Sequence, residues 1–245
     1  MNLKTLAKNK KVIKMKDISK VSPLKILKGP EGKELGKGNM GVLIARAGLG
    51  KTSCLIHIAF DKLLDSEKLI HVSLKDSPDK VTSYYNVIFY ELIKALKKEN
   101  GAELRTLLDK NRIILSYLKE SFDLDRLKVN LRNLAQETNF KPDTLIIDDI
   151  NFSETKREIF EGFLDIAKEF QVEIWFSAIS HRHITDVNEK GVPFPCNDLD
   201  DLFSIIIQLY SSEKGVFLKL LKEREDKSAP EIAVKLNPKT FLAME

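Results

Sequence analysis

The residues with the clearest capacity for chemistry lie between Gly41 and Ile56. A short apolar segment, 42–44, leads into small and glycine residues, and an apolar run with helical spacing follows. In this order of strand, turn and helix, backbone amides can surround an anion, provided that side chains leave room for it. Gly48 and Gly50 provide that room. The sequence therefore predicts a phosphate-binding loop, to which these residues contribute: Ala47, Gly48, Leu49, Gly50, Lys51, Thr52 and Ser53.

The residues that open the predicted helix have distinct roles in this motif. A helix that begins near Lys51 would present unpaired amides and the positive end of its dipole to the anion. The Lys51 ammonium would reach the β- and γ-phosphates of a nucleotide, and the Thr52 hydroxyl would ligate Mg²⁺. The pattern Gly-x4-Gly-Lys-Thr is complete except at its first position, where Ala45 stands. A chance Gly-Lys-Thr in an ordinary strand–turn–helix is the alternative, but the flanking segments favour a P-loop.

A pair of carboxylates follows a later apolar run. Residues 144–148 read Thr-Leu-Ile-Ile-Asp, and Asp149 comes directly after Asp148. In P-loop proteins a carboxylate at such a strand end lies beside the loop and helps to hold magnesium. A strand-end aspartate that only caps a turn is the alternative. Its position after a P-loop favours the first interpretation, so we expect Thr52 and Asp148 to form a magnesium site.

Strands alternate with helices along most of the chain, which is typical of an α/β fold with a mostly parallel sheet flanked by helices. After the first strand, the predicted strands cover 68–74, 112–118, 144–150, 172–179, 203–210, 215–222 and 232–236. The first predicted helix begins near Lys51 and ends near residues 65–66, and the others cover 77–96, 102–109, 122–138 and 154–170. Because the last three strands have no helix between them, we expect an antiparallel edge at the C-terminal end.

One aromatic-rich helix face resembles a platform for stacking bases but favours core packing. The helix that Ser77 and Pro78 start carries Tyr84 and Tyr85 on a face spaced mostly by three and four residues. Such spacing indicates a buried helix face rather than a platform for stacking bases. Trp175 lies inside an apolar run and is also expected in the core.

The chain resembles RecA-fold P-loop ATPases of the KaiC/DnaB/RadA type over residues 20–240. The P-loop is the most specific match, and weaker matches are 71–80, 142–148, 198–209 and 217–224. The resemblance implies a RecA-like domain that binds ATP at the carboxyl edge of its sheet and assembles into a ring or filament. We place this domain at 29–245, after a lysine-rich leader at 1–28. AAA+ proteins have a similar Asp-Asp strand but end in a helical lid, whereas this chain ends in predicted strands.

The resemblance also implies catalytic roles, with one departure from the family. Lys75 stands where these ATPases have the glutamate that activates water, and a protonated lysine cannot accept a proton. Asp76 or Asp149 could substitute as the base. Lys222 and Arg224 are two residues apart on a predicted strand and should share one face. They resemble a pair that contacts the γ-phosphate of a neighbouring subunit; a charged edge strand is the alternative.

The segment after the Trp175 strand allows several functions. His181 resembles the polar sensor of the γ-phosphate, and a plain loop histidine is the alternative. DNA-acting relatives contact DNA with the loop that corresponds to 180–198, but here Arg182 and Lys190 are balanced by acidic residues. We therefore favour a slow magnesium-dependent ATPase that acts as an oligomeric switch or motor subunit. A non-hydrolysing nucleotide-binding regulator and a recombinase or helicase relative are the alternatives.

Composition narrows the setting in which the protein works. No apolar run approaches the ~20 residues that a membrane span needs. Residues 1–40 carry eleven lysines and three acidic residues, so this part could contact nucleic acid or an anionic surface, or simply be a solvated leader. Residues 1–20 lack the apolar segment of a secretory signal. Cys54 and Cys196 are expected to be reduced thiols in a cytoplasmic protein.

Overall fold

A computed structural model of the protein describes residues 21–27, 34–96, 101–180, 186–224 and 233–244. Most of the predicted leader lies outside these ranges. Its final part contains a short 3-10 helix, Pro23–Leu27, in which Ile26 and Leu27 are buried against the domain. This segment therefore packs with the residues that follow it.

The described elements alternate as the sequence predicts. The strands are β1 (Met40–Arg46), β2 (Leu69–Ser73), β3 (Arg112–Ser116), β4 (Thr144–Asp148), β5 (Glu173–Ser180), β6 (Ile205–Ser212), β7 (Gly215–Glu223) and β8 (Ala233–Leu236). The helices are α1 (Lys51–Leu64), α2 (Pro78–Ala95), α3 (Gly101–Lys110), α4 (Leu124–Glu137) and α5 (Arg157–Phe170). Two more 3-10 helices cover Lys119–Ser121 and Asp200–Leu202.

The eight strands form one sheet in the order β3-β2-β4-β5-β1-β6-β7-β8. Strands β1 to β6 pair in parallel, and β7 and β8 add an antiparallel edge. The prediction of an α/β fold with a mostly parallel sheet and an antiparallel C-terminal edge is thus confirmed. The connection after β1 passes over β5 and β4, whereas the connection after β5 passes over β1 to β6. Their opposite directions create a crevice at the carboxyl ends of β1 and β5, where α/β sheets bind ligands.

Helices cover both faces of the sheet. Apolar residues of α1, α2 and α3 form one core cluster with one face, and those of α4 and α5 form a second cluster with the other. The central strands are consequently buried on both sides: β1 is buried from Met40 to Ala45, and β2 and β4 along their whole length. This explains why these strands are continuous apolar runs rather than alternating ones.

Several helices and strands begin or end a few residues from the predicted positions, because local hydrogen bonds and backbone conformation determine their ends. Ser77 caps α2 as predicted, with its side chain accepting from the Lys80 amide. β4 was expected to reach residue 150 but ends at Asp148, because Asp149 takes a left-handed conformation with φ 66°. α5 starts at Arg157 rather than 154, after a turn in which the amides of 154 and 155 bond to Asn151. Such shifts concern only the ends of correctly predicted elements.

Trp175 and Tyr85 pack in the core, as expected. Trp175 is buried beneath β1, where a side chain at Gly41 would place its Cβ 2.7 Å from the indole. Glycine at 41 therefore serves strand packing. Tyr85 is buried on α2, with its ring edge-on to Phe60 and the Arg112 guanidinium 3.9 Å from its ring centre. Neither Trp175 nor Tyr85 is exposed enough to stack on a base.

A buried ion pair fixes the C-terminal end of α1 at the amino edge of the sheet. The Lys62 ammonium lies 2.9 Å from the Glu173 carboxylate, and both residues are buried. Glu173 also accepts hydrogen bonds from the Gly36 amide and the Trp175 indole, each at 3.2 Å. Removing one partner of such a pair would leave an uncompensated buried charge. The pair therefore holds α1 across β5, which in turn fixes the position of its N-terminal turn.

Two further expectations concern thiols and membranes. Cys54 and Cys196 are buried free cysteines, which agrees with the prediction of unpaired thiols. Burial raises the pKa of both thiols, so neither is a ready nucleophile. None of the described helices is long and apolar enough to cross a membrane.

Candidate functional site

The candidate site lies where β1, β4 and β5 end at the carboxyl edge of the sheet. β1 leads into residues 47–50, which we call the glycine loop, and α1 begins directly afterwards at Lys51. Gly48 has φ 75° and Gly50 has φ 93°, a left-handed backbone that favours glycine at both positions. The amides of the first turn of α1 have no acceptor within the helix and can bind an anion.

A hydrogen bond joins the start of α1 to the end of β4. The Thr52 hydroxyl donates to Oδ2 of Asp148 at 2.8 Å, although 96 positions separate the two residues along the chain. The structure thus brings together the two residues predicted to hold magnesium. Among the described residues, no group of three or more His, Cys, Asp or Glu side chains could hold a metal ion. A cation here would depend on Thr52, Asp148, water and a bound phosphate, as is common for Mg²⁺.

Ser177 on β5 completes this contact and was missed in the sequence. Its hydroxyl donates to Oδ1 of Asp148 in a short hydrogen bond and accepts the Asp149 amide at 3.2 Å. Both carboxylate oxygens of Asp148 are therefore bonded, one to Thr52 and one to Ser177. A polar residue inside the apolar run of β5 was the available signal, but strand pairing was needed to show its partner.

Lys51 lies at the loop with little exposure, about 9% of its surface. Burial lowers the pKa of its ammonium, while the nearby carboxylates of Asp148 and Asp149 raise it and Lys75 lowers it. The cation is therefore held in a partly dry environment next to two acidic groups. The charges of a bound phosphate could balance the Lys51 ammonium in place of these two carboxylates, as a phosphate-binding lysine requires.

Asp149 is the more suitable of the two predicted bases. Burial raises the pKa of its carboxyl, and the neighbouring Asp148 charge raises it further, while Lys75 and Lys51 lower it. A raised pKa increases the basicity of a carboxylate toward water. Asp149 also lines two cavities of about 640 and 410 Å³, neither of which includes a residue of the glycine loop. The second of these includes Lys75, so Asp149 has a charged neighbour and open space beside it.

Asp76 is instead engaged in fixing the start of α2. Its carboxylate lies 2.7 Å from the Lys80 ammonium and accepts the Tyr84 hydroxyl at 3.1 Å. Burial alone would raise the pKa of Asp76, but these two hydrogen bonds bring it below its usual value. The Asp76 amide also donates to the Ser73 hydroxyl at 2.9 Å. A carboxylate with these partners is a weaker candidate for a base than Asp149.

The expectation that Lys222 and Arg224 form a pair on one strand is wrong, because β7 ends at Glu223. The pairing of β7 with β6 is irregular between Ile206 and Ile207, opposite this part of β7. Lys222 is buried, and its ammonium donates to the Asp200 carbonyl at 2.7 Å. Arg224 lies beyond the end of β7 with φ 49°, and its guanidinium donates to the Glu34 carbonyl at 2.7 Å.

These two residues also lie far from the glycine loop of their own chain. The Arg224 amide bonds to the Ser204 carbonyl, and the Ser204 amide bonds to the carbonyl of Met40, the first residue of β1. The glycine loop follows the other end of β1, a strand length of roughly 20 Å away. Lys222 and Arg224 therefore belong to the amino edge of the sheet and are held by contacts within the chain.

The remaining predicted residues are only partly placed. His181 and Arg182 lie outside the described residues. In the loop 180–198, the structure describes residues 186–198 after this gap. Here the Lys190 ammonium lies 3.0 Å from the Asp200 carboxylate. A lysine with this partner adds little to a phosphate-tracking surface.

Comparisons with known proteins do not narrow the class of this chain beyond the α/β class that its fold shows. No protein-family model matches the chain. No curated protein matches it either. Since a fold by itself does not determine function, the function has to be argued from the site.

Two buried histidines make the stability of the fold sensitive to mild acid. Burial lowers the pKa of both His57 and His71 to about 4. His71 Nδ1 lies 3.1 Å from the Tyr85 hydroxyl, and its Nε2 has no hydrogen-bond partner among the described residues. Both rings are therefore neutral in the folded protein at pH 7.

We expect the free energy of unfolding to fall as the pH drops from 6.5 toward 5. In this window the unfolded chain binds protons that the folded histidines reject, so protons favour unfolding, by on the order of 1.4 kcal/mol per pKa unit for each ring. Urea unfolding at several pH values measures this. His71→Gln should make the decline shallower, and an unchanged slope in that variant would contradict the assignment.

Proposed function

We propose that the protein binds ATP with magnesium at the glycine loop and hydrolyses it slowly, as a P-loop ATPase of the RecA-like type. The observation that carries the proposal is the 2.8 Å hydrogen bond between Thr52 and Asp148. It joins the hydroxyl that follows the loop lysine to a strand-end carboxylate, at the crevice where α/β sheets bind ligands. A chance Gly-Lys-Thr would not require this partner.

Each residue of the site then has a definite task. The amides of the glycine loop and of the first turn of α1 surround the phosphates, and Lys51 neutralises their charge. Thr52 and Asp148 hold magnesium, which when bound offsets the charge that develops on the phosphoryl group. Ser177 orients Asp148 through its second oxygen. Positioning and electrostatics of this kind account for most catalysis of phosphoryl transfer.

Asp149 is the base in this proposal. It lies beside Asp148 and has a raised pKa, whereas Asp76 is fixed by Lys80 and Tyr84. The Lys75 charge reduces the basicity of Asp149, so we propose slow turnover. The outcome is a protein that stays in its ATP-bound state for long periods, which suits a switch.

A second candidate function is a nucleotide-binding regulator that does not hydrolyse ATP. It is favoured by Lys75 at the position of the family's glutamate and by the engagement of Asp76. The two candidates share the binding site and differ only in whether Asp149 activates water. They are therefore separated by turnover and not by affinity.

Assembly into a ring or filament in the cytoplasm remains part of the proposal. The buried free thiols of Cys54 and Cys196 are compatible with a reducing compartment. Lys222 and Arg224 are held within their own chain, so they do not support a site shared between subunits. A shared site would need another cation.

The binding proposal is tested by titrating ATP with and without magnesium. Magnesium should tighten ATP binding to the wild-type protein, and Asp148→Asn should lose roughly 10- to 100-fold of that gain, as when a metal site loses an oriented ligand. Asp165→Asn, an exposed change on α5, is the matched control and should leave the gain intact. If Asp148→Asn retains the full effect of magnesium, the proposed metal site is excluded.

A further inference from the structure

The last described residues fold into a compact turn that returns to α1. The Asn237 side chain accepts the amides of Lys239 and Thr240 at 2.9 and 3.2 Å. The Phe241 amide donates to the Asn237 carbonyl at 2.8 Å, and the Asn237 amide donates to the Leu242 carbonyl at 2.9 Å. Residues 237–242, which we call the C-terminal turn, are therefore fixed by their own hydrogen bonds.

The C-terminal turn is attached to the helix that opens at the glycine loop. The Thr240 carbonyl lies 2.7 Å from Nε2 of His57, a buried residue of α1. Leu242 is buried in the core cluster that includes the apolar face of α1. Beyond the turn, the Ala243 amide donates to the Val21 carbonyl at 2.7 Å. A polar contact and an apolar contact thus fix the turn against the body of the domain.

Phe241 extends this attachment to the glycine loop itself. A Cβ built on Gly50 would lie 2.0 to 2.6 Å from three carbon atoms at the far end of the Phe241 ring, so this end of the ring packs against Gly50. Phe241 has φ 56°, a left-handed backbone that is costly for a bulky residue. Strain of this kind persists only where the surroundings impose it, and it is concentrated at functional positions.

The position of the ring has a consequence for the loop. Gly50 must keep its left-handed conformation for α1 to begin at Lys51 with its amides directed at a phosphate. A glycine is the residue most able to leave such a conformation, because no side chain restricts it. The Phe241 ring occupies the space beside the Gly50 Cα where a side chain would project, and so packs directly against the backbone at this position. The ring therefore reduces the number of arrangements that the empty loop can adopt.

We infer that Phe241 is a positioning residue for the glycine loop, and that docking of the C-terminal turn and binding of nucleotide phosphates favour each other. The inference rests on the proposed function, since it assigns the regulation of that same site. Thermodynamic linkage makes the effect reciprocal: if the docked turn tightens phosphate binding by some factor, bound phosphate must stabilise the docked turn by the same factor.

The first test measures ATP affinity by calorimetry in the presence of magnesium. Phe241→Ala should weaken binding roughly tenfold, within the usual range of coupling between sites. The affinity of Phe241→Leu should lie between those of the wild type and Phe241→Ala, because leucine keeps an apolar side chain over Gly50. Phe170→Ala is the matched control: it removes a half-buried ring at the end of α5, packed against the opposite face of the sheet, and it should bind ATP normally. Wild-type affinity in Phe241→Ala would overturn the inference.

The second test measures hydrogen exchange of amides 240–244 in the wild-type protein. ATP with magnesium should slow the exchange of these amides by about the factor that Phe241→Ala costs in affinity. If Phe241 had a merely structural role, bound ATP would not change their exchange. Unchanged exchange with bound ATP would contradict the coupling while leaving the proposed function intact. Failure of the wild-type protein to bind ATP would instead remove the proposed function.

A third test examines the contact without nucleotide, so that it holds whatever the ligand is. Gly50→Ala should lower the melting temperature strongly in the wild-type background, where the new methyl group meets the ring. In the Phe241→Ala background the same change should cost less, because only the backbone conformation then opposes it. Equal losses in both backgrounds would show that the ring does not press on Gly50.

Discussion

Lys51→Ala is expected to abolish detectable ATP binding, with affinity reduced by at least about 100-fold. The ammonium would form charge-assisted hydrogen bonds to two phosphates, and losing them costs roughly 3 kcal/mol. The empty protein should lose no stability, because the lysine is held with little exposure and burial lowers its pKa. Calorimetry at several nucleotide concentrations measures the affinity, and the melting temperature checks the fold.

The control for this experiment is a lysine that contacts neither phosphate nor core. Lys94 is exposed in the last turn of α2, and Lys94→Ala removes the same charge from the same chain. It should bind ATP like the wild type, so that a general loss of positive charge is ruled out as the cause. Unchanged affinity in Lys51→Ala would reject the glycine loop as a nucleotide site.

Asp149→Asn is expected to reduce ATP turnover by about 100-fold or more while ATP affinity stays nearly constant. General bases contribute factors of this size, and asparagine keeps the shape of the side chain without its basicity. The contrasting variant is Asp76→Asn, which removes a carboxylate fixed by Lys80 and Tyr84. It should lower stability, since an ion pair at the start of α2 is lost, but should change turnover little.

Phosphate release under saturating ATP distinguishes the outcomes. Loss of turnover in Asp149→Asn alone assigns the base and supports an ATPase. Loss in Asp76→Asn alone would reverse the assignment, and would mean that the Asp76 ion pair opens when ATP binds. No turnover in the wild type, together with tight binding, would favour the regulator that does not hydrolyse ATP.

The sequence was sufficient for most of the fold because the core strands are continuous apolar runs. β2 and β4 are buried on both faces, so their positions along the chain follow from the apolar runs. The ends of elements were less predictable, since a left-handed residue such as Asp149 or a turn around Asn151 stops an element without changing hydrophobicity. Local backbone geometry of this kind has only a weak sequence signal.

The residues of the site also differ in how far they could be predicted from local sequence. Thr52 and Asp148 could be predicted, since each follows a recognisable local pattern and the structure places them in contact. Ser177 and Phe241 could not, because their roles depend on which strands are neighbours and on where the chain returns. Lys222 and Arg224 do not share a strand because β7 ends at Glu223 and Arg224 takes a left-handed backbone, which has no clear signal in the sequence.

The strand order sets an upper limit on the size of one side chain. β5 lies between β1 and β4, so the loop strand and the carboxylate strand are two strand spacings apart, about 10 Å. Thr52 reaches Asp148 above β5, and Ser177 lies on β5 in direct contact with that carboxylate. A bulky residue at 177 would act as a wedge between α1 and β4. The size of the side chain at position 177 therefore determines how closely α1, with Thr52, can approach β4, with Asp148.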